Sequence, residues 1–503
     1  MKYTKQALKL VIIILIIFSY QPLYSQQLKQ YFVDSVILER NTKHVYHLSS
    51  QSFYGRSTLT GDDILASNYI DSLFQSFNLS PFQSIPKASN FQPFGIIKTT
   101  PLKRFASIQG ISYQYGLDFL SLGINPIPEK EYEIVFAGLG NYEDIEKLDL
   151  EGKAMLVLTN NLRIGGMRIC EIASGKGCSL IMLVNPSNPN QFESISQQLY
   201  EQHNSTLFRI EQAKPKSPSR FFSKLNTPVP QIVISDNFAR ALLGDKPSII
   251  YQGLLKGESP KVIPSEIKVK FDFNYSIDTL HTHNVVGWIP SSSGSQQSVL
   301  VCAHFDHLAP EGQKWYPGAD DNASSIAVLI ELARLYSAMA KDGYQFKRNI
   351  VFAAFTAEEI GLLGSQHHSI NPIFPLDSTT VVINMDMVGR LGNQKLKGKQ
   401  LFVSGDHKLD DFTSILKSIK TTSGIKVDSK SLENISMFSL SDHFHFMEKG
   451  VPAFLLTTGL HTDYHTPYDT PEKLSYESMV KITEFLFETI KHFANEPNPW
   501  DLN

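Results

Sequence analysis

Short, uniformly apolar segments alternate with helical segments in the second half of the chain, from about residue 269 onward. Apolar runs of this length predict strands that are buried on both faces, as in parallel sheets covered by helices. The segments ASSIAVLIELARLYSAMA and SYESMVKITEFLFETIKHF have the length of helices. We therefore predict an α/β fold with a mostly parallel, mixed sheet flanked by helices. The predicted strands are SVLVCAHFDH, NIVFAAFTAEE, TTVVINMDMVG, QLFVSGD and VPAFLLTTG.

The chain ahead of this region contains two further parts. The segment GDDILASNYIDSLFQSFNL predicts a helix, because apolar side chains recur every four residues and would share one face. They are Leu65, Tyr69, Leu73 and Phe77. Between about residues 131 and 252, the β-like runs EIVFAG, KAMLVLT, SLIMLVN and PQIVIS are separated by turn-rich pieces, and a polar stretch with NPSNPNQ and KPKSPS predicts exposed loop. This middle part carries no ligand-like cluster, so we predict an inserted, non-catalytic domain.

The N-terminus predicts export. Lys2, Lys5 and Lys9 precede an apolar run at residues 10–18, and the small residue Ser25 follows. This pattern is typical of a cleaved secretory signal peptide, and the run is shorter than the ~20 residues that a membrane-spanning helix needs. We therefore expect a periplasmic or extracellular protein with no membrane span in the mature chain. The net charge of -3, without a basic stripe, disfavours a nucleic-acid partner.

The cysteines do not form a disulfide framework, because the chain has only Cys170, Cys178 and Cys302. Cys302 lies inside an apolar predicted strand, which indicates a small buried side chain. Pairing of Cys170 with Cys178 stays open.

Polar residues with metal-binding side chains follow the predicted strands of the last region. In an open α/β sheet, ligand sites form outside the carboxyl ends of the strands. Two imidazoles with three or more carboxylates are a ligand set for Zn²⁺ or a similar divalent cation, and this set is large enough for two ions that share a carboxylate. The residues are His304, Asp306, Asp321, Glu358, Glu359, Asp386 and His465.

Each of these residues also has an ordinary structural interpretation. A histidine after a strand is often a core or surface residue, and Asp320 or Asp321 can cap the helix that begins near Ala323. The AEE sequence can be a solvated turn. Asp386 is harder to explain in this way, because a carboxylate between two methionines in VVINMDMVG would be buried and need a partner. The coincidence at successive strand ends favours a site.

Five segments together resemble the ordered motifs of peptidase family M28, the zinc aminopeptidases: AHFDHL, PGADDNASS, TAEEIGLLGS, NMDMVGR and HTDYHTPYDT. The resemblance covers about residues 285–493 and implies a zinc-exopeptidase fold. The middle segment resembles, less specifically, a protease-associated (PA) insertion. The implied organisation is a signal peptide at 1–25, an N-terminal part of the peptidase domain at 26–130, a β-rich PA-like domain at 131–255 and the catalytic domain at 256–503.

The resemblance also implies a role for each site residue. Asp321 would bridge two Zn²⁺ ions per chain. His304 and Asp386 would complete one metal site, and Glu359 and His465 the other. Glu358 would be the general base. By the same resemblance, the Asp321–Asn322 peptide bond would be cis.

Two neighbouring groups each have two interpretations. Asp306 lies two residues beyond His304 on an extended segment, so its carboxylate is expected to accept the second imidazole N–H, although a loop cap is an alternative. Asp442 or His443, in SLSDHFHF, would orient substrate or stabilise the oxyanion, and helix capping by Asp442 is an equally good interpretation.

The implied activity is hydrolysis of N-terminal residues from peptides or proteins with a free α-amine. A glutaminyl cyclase-like zinc transferase and a non-catalytic binding protein on the same scaffold are the alternatives. The second is disfavoured because all five implied ligands and the base are present. Carboxypeptidase or dipeptidase specificity stays open.

Overall fold

The computed structural model describes residues 31–82, 89–123, 125–160, 162, 165–211, 229–260, 262–390, 400–430 and 441–501. The predicted signal peptide lies outside these residues. The chain divides into a larger unit, Met1–Gly95 with His281–Asn503, and a smaller unit, Ile96–Leu280. The boundaries predicted for the insertion, residues 131 and 255, both fall inside the smaller unit.

The α-helices and strands are numbered in chain order. The helices are α1 Asp34–Leu48, α2 Asp63–Ser76, α3 Tyr142–Glu146, α4 Gly165–Gly175, α5 Asn190–Asn204, α6 Asp236–Leu243, α7 Pro247–Leu255, α8 Ser325–Lys341, α9 Leu363–Ile370, α10 Leu409–Ser418, α11 Phe444–Met447 and α12 Tyr476–Asn495. The strands are β1 Ser80–Pro81, β2 Phe91–Ile108, β3 Ile111–Tyr113, β4 Phe119–Ser121, β5 Ile127–Phe136, β6 Ala154–Leu158, β7 Leu180–Val184, β8 Leu207–Ile210, β9 Gln231–Ile234, β10 Lys268–Ile289, β11 Ser298–His304, β12 Asn349–Phe355, β13 Thr379–Met385, β14 Gln400–Gly405, β15 Lys426–Asp428 and β16 Ala453–Thr457.

The sheet of the larger unit has the strand order β15-β14-β16-β13-β11-β12-β10. Strand β11 pairs in parallel with β12 and β13, and β13 pairs in parallel with β16. The antiparallel pairs are β14 with β16 and β10 with β12. This confirms the predicted mixed, mostly parallel α/β sheet.

The central strands bury both of their faces. In β11, Val299 and Val301 belong to one hydrophobic cluster, while Leu300 and Cys302 belong to another. Strands β12 and β13 alternate between the same two clusters, as the two-residue period of a strand requires. Helices α1, α8 and α12 pack against one another on the side of the first cluster. The carboxyl ends of the strands are therefore where this sheet can present polar groups.

Helix α8 contributes many buried residues to the first hydrophobic cluster. Among the described residues, the segment Ala319–Lys341 is long and apolar enough to cross a membrane, but 78% of its apolar window is buried inside the structure. Burial of that extent is the property of a core helix.

The predicted helix α2 is present, but its buried face differs from the prediction. Ala66, Ile70 and Phe74 are completely buried, whereas Leu65 is 48% exposed. Tyr69, Leu73 and Phe77 pack at the edge of the core. The predicted four-residue spacing is correct, but the fully buried stripe of α2 starts at Ala66, one residue later than predicted.

The smaller unit has its own parallel sheet, in which β5, β6, β7 and β9 are adjacent and β4 pairs antiparallel with β9. The four predicted β-like runs form these strands. The prediction of exposed loop is correct for Ser187–Pro189, which are exposed and lie outside the helices and strands. It is wrong from Asn190 onward, because α5 begins there and buries Phe192, Ile195 and Leu199 at helical spacing. The KPKSPS segment lies outside the described residues. Cys170, Cys178 and Cys302 are all free and buried.

Candidate metal centre

The carboxyl ends of four strands in the larger unit carry the predicted site residues. His304 is the last residue of β11, and Asp386 directly follows β13. Glu358 and Glu359 lie in the turn after β12, and His465 lies in the loop after β16. Asp321 lies in the kinked segment Ala319–Ser324, which leads into α8, and its own backbone angles are not helical. The topology thus brings residues from distant parts of the sequence to one edge of the sheet.

A first group of donors consists of His304, Asp321 and Asp386. The His304 Nε2 atom lies 3.4 Å from Asp321 Oδ1 and 3.4 Å from Asp386 Oδ1. Atoms bound tetrahedrally to one zinc at the usual bond lengths lie about 3.3–3.4 Å apart. The first group therefore has the spacing of ligands around a single cation.

A second group consists of His307, Asp321, Glu359 and His465. The His465 Nε2 atom lies 3.2 Å from Asp321 Oδ2 and 3.1 Å from Glu359 Oε2. Asp321 belongs to both groups and turns one carboxylate oxygen to each. A carboxylate in this position can bridge two cations.

Buried polar atoms in these groups have no hydrogen-bond partner in the described structure. Asp321 Oδ2 and His465 Nε2 are two of them. A buried polar atom without a partner costs free energy, typically about 1–3 kcal/mol. The neighbouring histidine and carboxylate donors suit zinc, so a cation at each group would satisfy these atoms.

The two adjacent glutamates lie in different environments. Burial raises the pKa of Glu358 well above its usual range, and the neighbouring carboxylates of Glu359 and Asp386 add to this against the opposing effect of His304. Burial and Asp321 also raise the pKa of Glu359, but its contacts with His307 and His465 outweigh them and leave that pKa lowered. Glu358 belongs to neither donor group, and its Oε2 lies 4.0 Å from His304 Nε2.

Residues 284–490 match the model of peptidase family M28. This segment belongs to peptidase family M28. Aminopeptidase YwaD of Bacillus subtilis (strain 168) is 30% identical over 223 residues, which are 42% of this chain and 45% of that protein. A probable leucine aminopeptidase of Arthroderma otae is 31% identical over 214 residues, 40% of this chain and 56% of that protein. The chain thus spans about half the length of these relatives.

Among solved structures, an aminopeptidase from Aneurinibacillus sp. strain AM-1 aligns with a TM-score of 0.49 at 20% identity. The alignment covers 92% of this chain and 96% of that one.

Within the M28 segment, Asp306 makes contacts other than the predicted one. His304 Nδ1 lies 3.2 Å from the backbone carbonyl oxygen of Asp306 and 3.9 Å from its nearer carboxylate oxygen. The prediction that the Asp306 carboxylate accepts this imidazole N–H is therefore wrong, although the acceptor belongs to the same residue. The carboxylate instead accepts the backbone N–H groups of Glu358 at 3.0 Å and Glu359 at 3.4 Å. It holds the turn that carries both glutamates, which is close to the alternative of a loop cap.

The loop that carries Asp321 is held by another aspartate of the M28 segment. Asp469 Oδ2 accepts the backbone N–H groups of Asp320 at 2.9 Å and Asp321 at 3.1 Å. Asp320 Oδ1 accepts the backbone N–H of Gly389 at 2.7 Å, so its side chain ties this loop to the segment after β13. The Asp321–Asn322 peptide bond is cis, as predicted.

Asp442 and His443 are both fully buried beside the site. Burial raises the pKa of Asp442 to about 6, against the opposing effect of His304. The short helix α11 has no side-chain cap, so capping by Asp442 does not explain its position.

Two residues beside the site were not predicted. His307 Nδ1 lies 2.6 Å from Glu359 Oε1. The AHFDH sequence contained a signal for it, namely a second histidine three residues beyond the first. Arg56 is completely buried and donates to the carbonyl oxygens of Phe305 at 2.8 Å and Gly318 at 2.9 Å. No motif in the sequence marked Arg56, because its partners are backbone carbonyl groups, and those of Phe305 and Gly318 are more than 240 residues away.

Proposed function

We propose that this protein is an exported dinuclear zinc exopeptidase that removes N-terminal residues from peptides. The observation that carries the proposal is the arrangement around Asp321, whose two oxygens face two separate donor groups while Glu358 lies beside them and belongs to neither. One group would hold a cation through His304, Asp321 and Asp386. The other would hold a second cation through Asp321, Glu359 and His465.

Two zinc ions bound there would supply a water of lowered pKa and polarise the scissile carbonyl. Glu358 takes the proton of the attacking water as general base and returns it to the leaving amine. Burial raises the pKa of Glu358, which favours the step in which the protonated side chain holds the proton for the leaving amine. Asp306 keeps Glu358 in place through the backbone N–H that it accepts.

The preference for a free α-amine rests on the relatives, several of which are named aminopeptidases, and on the number of carboxylates at the site. An ammonium group is attracted to such a cluster. The same cluster would repel a substrate that brings a free carboxylate to the reacting bond.

A peptide panel tests the activity. The purified protein, loaded with zinc, is given one peptide in four forms: unmodified, N-acetylated, C-amidated, and with an N-terminal glutamine. Release of the first residue from the unmodified and amidated forms, without release from the acetylated form, supports the proposal. Equal rates on free and acetylated N-termini contradict it, and formation of pyroglutamate without hydrolysis indicates a cyclase. Metal analysis of the same sample should find two zinc ions per chain.

A further inference from the structure

His307 is the member of the second donor group without a role in the proposed mechanism. Its side chain is completely buried at the end of the AHFDH segment. Its Nδ1 atom lies 2.6 Å from Glu359 Oε1 and 3.6 Å from Asp321 Oδ2. Two roles fit an imidazole at this place: a fourth ligand of the cation, or a group that holds Glu359.

The distances favour the second role. Two atoms bound tetrahedrally to one zinc lie about 3.3–3.4 Å apart, so a separation of 2.6 Å between Nδ1 and Oε1 is too short for two ligands of one ion. It is instead just below the usual range of charge-assisted hydrogen bonds from N–H donors, about 2.7–2.9 Å, and is therefore a hydrogen-bond distance. Because a carboxylate only accepts, Nδ1 carries the proton and has no lone pair for a metal.

The two oxygens of Glu359 are thereby divided between two tasks. Oε1 is bound to His307, while Oε2 lies 3.1 Å from His465 Nε2. Asp321 Oδ2 is 3.2 Å from the same His465 atom. Glu359 Oε2, Asp321 Oδ2 and His465 Nε2 thus form a compact set of metal-binding atoms that does not include His307.

The surroundings fix the imidazole ring of His307. Gly318 has a positive φ of 53°, and a Cβ atom at this position would lie 2.5 Å from His307 Cδ2 and 2.7 Å from Arg56 Nη2. Only a glycine lets this loop close on the ring. The rings of His307 and His465 are also in edge contact, with centroids 5.7 Å apart.

We propose that His307 is a positioning residue, whose Nδ1–H donates to Glu359 Oε1 so that Glu359 presents Oε2 to the cation. The inference rests on the proposed dinuclear site. It predicts that the affinity for one of the two cations depends on the hydrogen bond between His307 and Glu359, although His307 does not bind the cation.

The test compares His307→Asn with His307→Leu. The side-chain amide nitrogen of asparagine is as many bonds from Cβ as Nδ1, so His307→Asn keeps a donor at this position. His307→Leu keeps much of the volume and removes the donor. Each metal-free variant is titrated with Co²⁺ in competition with a chelator, and the visible absorption of bound Co²⁺ is recorded at saturation.

We expect His307→Leu to weaken one of the two cobalt-binding steps by about 10–100-fold, as is usual for partners that orient metal ligands. His307→Asn should restore most of that loss. Both variants should show the wild-type cobalt spectrum at saturation, because the ligands are unchanged. As a control, His368→Leu removes an equally buried imidazole that contacts Gln92 instead, and both cobalt affinities should stay at the wild-type value.

Two results would overturn the inference. If His307→Asn loses as much cobalt affinity as His307→Leu and the spectrum at saturation changes, His307 is a ligand. If neither substitution changes either affinity, the hydrogen bond has no role in metal binding. A wild-type protein that binds fewer than two cobalt ions would instead defeat the dinuclear site itself, and the inference with it. Should His307→Leu not fold, the comparison of His307→Asn with the wild type still decides between ligand and donor.

Discussion

The two units of this protein contain similar sheets with very different strand ends. In both, apolar strands run in parallel, β11, β12, β13 and β16 in one and β5, β6, β7 and β9 in the other. In the smaller unit, the residues that follow β7 and β9 are Asn185 and Ser235. In the larger unit, His304 is the last residue of β11, Asp386 directly follows β13, and Glu358 and Glu359 lie in the turn after β12.

Asn185 and Ser235 of the smaller unit accept hydrogen bonds from the local backbone. Asn185 Oδ1 accepts the N–H groups of Ser187 at 3.0 Å and Asn188 at 3.1 Å, and Ser235 Oγ caps helix α6 by accepting the N–H of Phe238. In the larger unit, Asp321 and His465 leave buried atoms without such partners. A parallel sheet therefore provides a place for a site, but the site exists only where strand-end residues face one another instead of the backbone.

The largest effect should come from Glu358, the strand-end residue that is proposed to react without binding metal. Glu358→Gln removes the proton acceptor and keeps the shape, so kcat should fall by about 10²–10⁴-fold, the usual contribution of a general acid–base group. KM should change little, because the lost interaction belongs to the transition state. Both zinc ions should stay bound. Steady-state kinetics and metal analysis on the same sample measure both quantities.

The neighbouring Glu359 is the matched comparison. Glu359→Gln should lose one zinc or bind it weakly, and activity should fall with metal content. If Glu358→Gln loses zinc while Glu359→Gln keeps two ions, the two roles are reversed. If Glu358→Gln turns over at a near-normal rate, the mechanism is wrong.

Arg56 supports the ligand loops of the larger unit, and the smaller unit has no counterpart for it among the described residues at its strand ends. Burial lowers the pKa of Arg56 to about 10, which still leaves it charged at neutral pH, beside the carboxylates of Asp321 and Asp306. Arg56→Ala would leave several buried carbonyl groups unpaired, at about 1–3 kcal/mol each. We expect a loss of at least about 3 kcal/mol in the free energy of unfolding and a drop of about 10–100-fold in zinc affinity.

Arg56→Lys is the control for charge. It keeps a positive charge but loses the planar guanidinium group that donates to several carbonyl groups at once. Its free energy of unfolding should therefore lie between those of the wild type and Arg56→Ala. Urea unfolding of the metal-free proteins separates the effect on the fold from the effect on zinc. A metal-free Arg56→Ala protein as stable as the wild type would contradict this role.

Zinc binding should release protons, because His465 holds a proton at neutral pH when no metal is present. Burial lowers the pKa of His465, but its contacts with Asp321 and Glu359 outweigh this and raise the pKa to about 10. A metal binds only the neutral imidazole, so the proton must leave at any pH below that value. Zinc affinity should therefore rise by about tenfold or more for each pH unit between pH 6 and pH 9. Calorimetry in buffers of different ionisation enthalpy counts the protons, and release of none at pH 7 would contradict the expectation.

The sequence predicted the sheet, and it predicted most of the residues that the structure brings together at the sheet edge, because both depend on local patterns. Uniformly apolar runs identified the strands, and the residues that follow them identified the candidate ligands. The hydrogen-bond acceptor of His304 was not predictable from the sequence, because two oxygens of Asp306 lie at similar distances from His304 Nδ1. The backbone carbonyl oxygen is 3.2 Å away, and the nearer carboxylate oxygen is 3.9 Å away. Arg56 was missed for a related reason, since a side chain that binds only carbonyl oxygens needs no particular sequence around its partners. The α2 stripe was misplaced because two adjacent apolar stripes have the same spacing.

The smallest effect on the metal site should come from removing the smaller unit. Both donor groups found among the described residues belong to the larger unit. The two segments of the larger unit also lie side by side close to the points where the smaller unit is inserted. Val286 N donates to Asn90 O at 2.7 Å, and Asn284 Nδ2 donates to Gln92 Oε1 at 3.0 Å. A short Gly-Ser linker from Gly95 to His281 can therefore replace residues 96–280.

We expect the shortened protein to bind the same number of zinc ions with an affinity close to that of the full chain, as measured by chelator competition. Asn185→Ala in the full chain is the matched strand-end control. It should cost stability through the two backbone N–H groups that lose their acceptor, and it should leave zinc binding unchanged. Circular dichroism and a cooperative unfolding transition establish that the shortened protein is folded. A folded product without zinc would show that the strand ends of the larger unit do not suffice, and that the contrast between the two sheets does not locate the metal site.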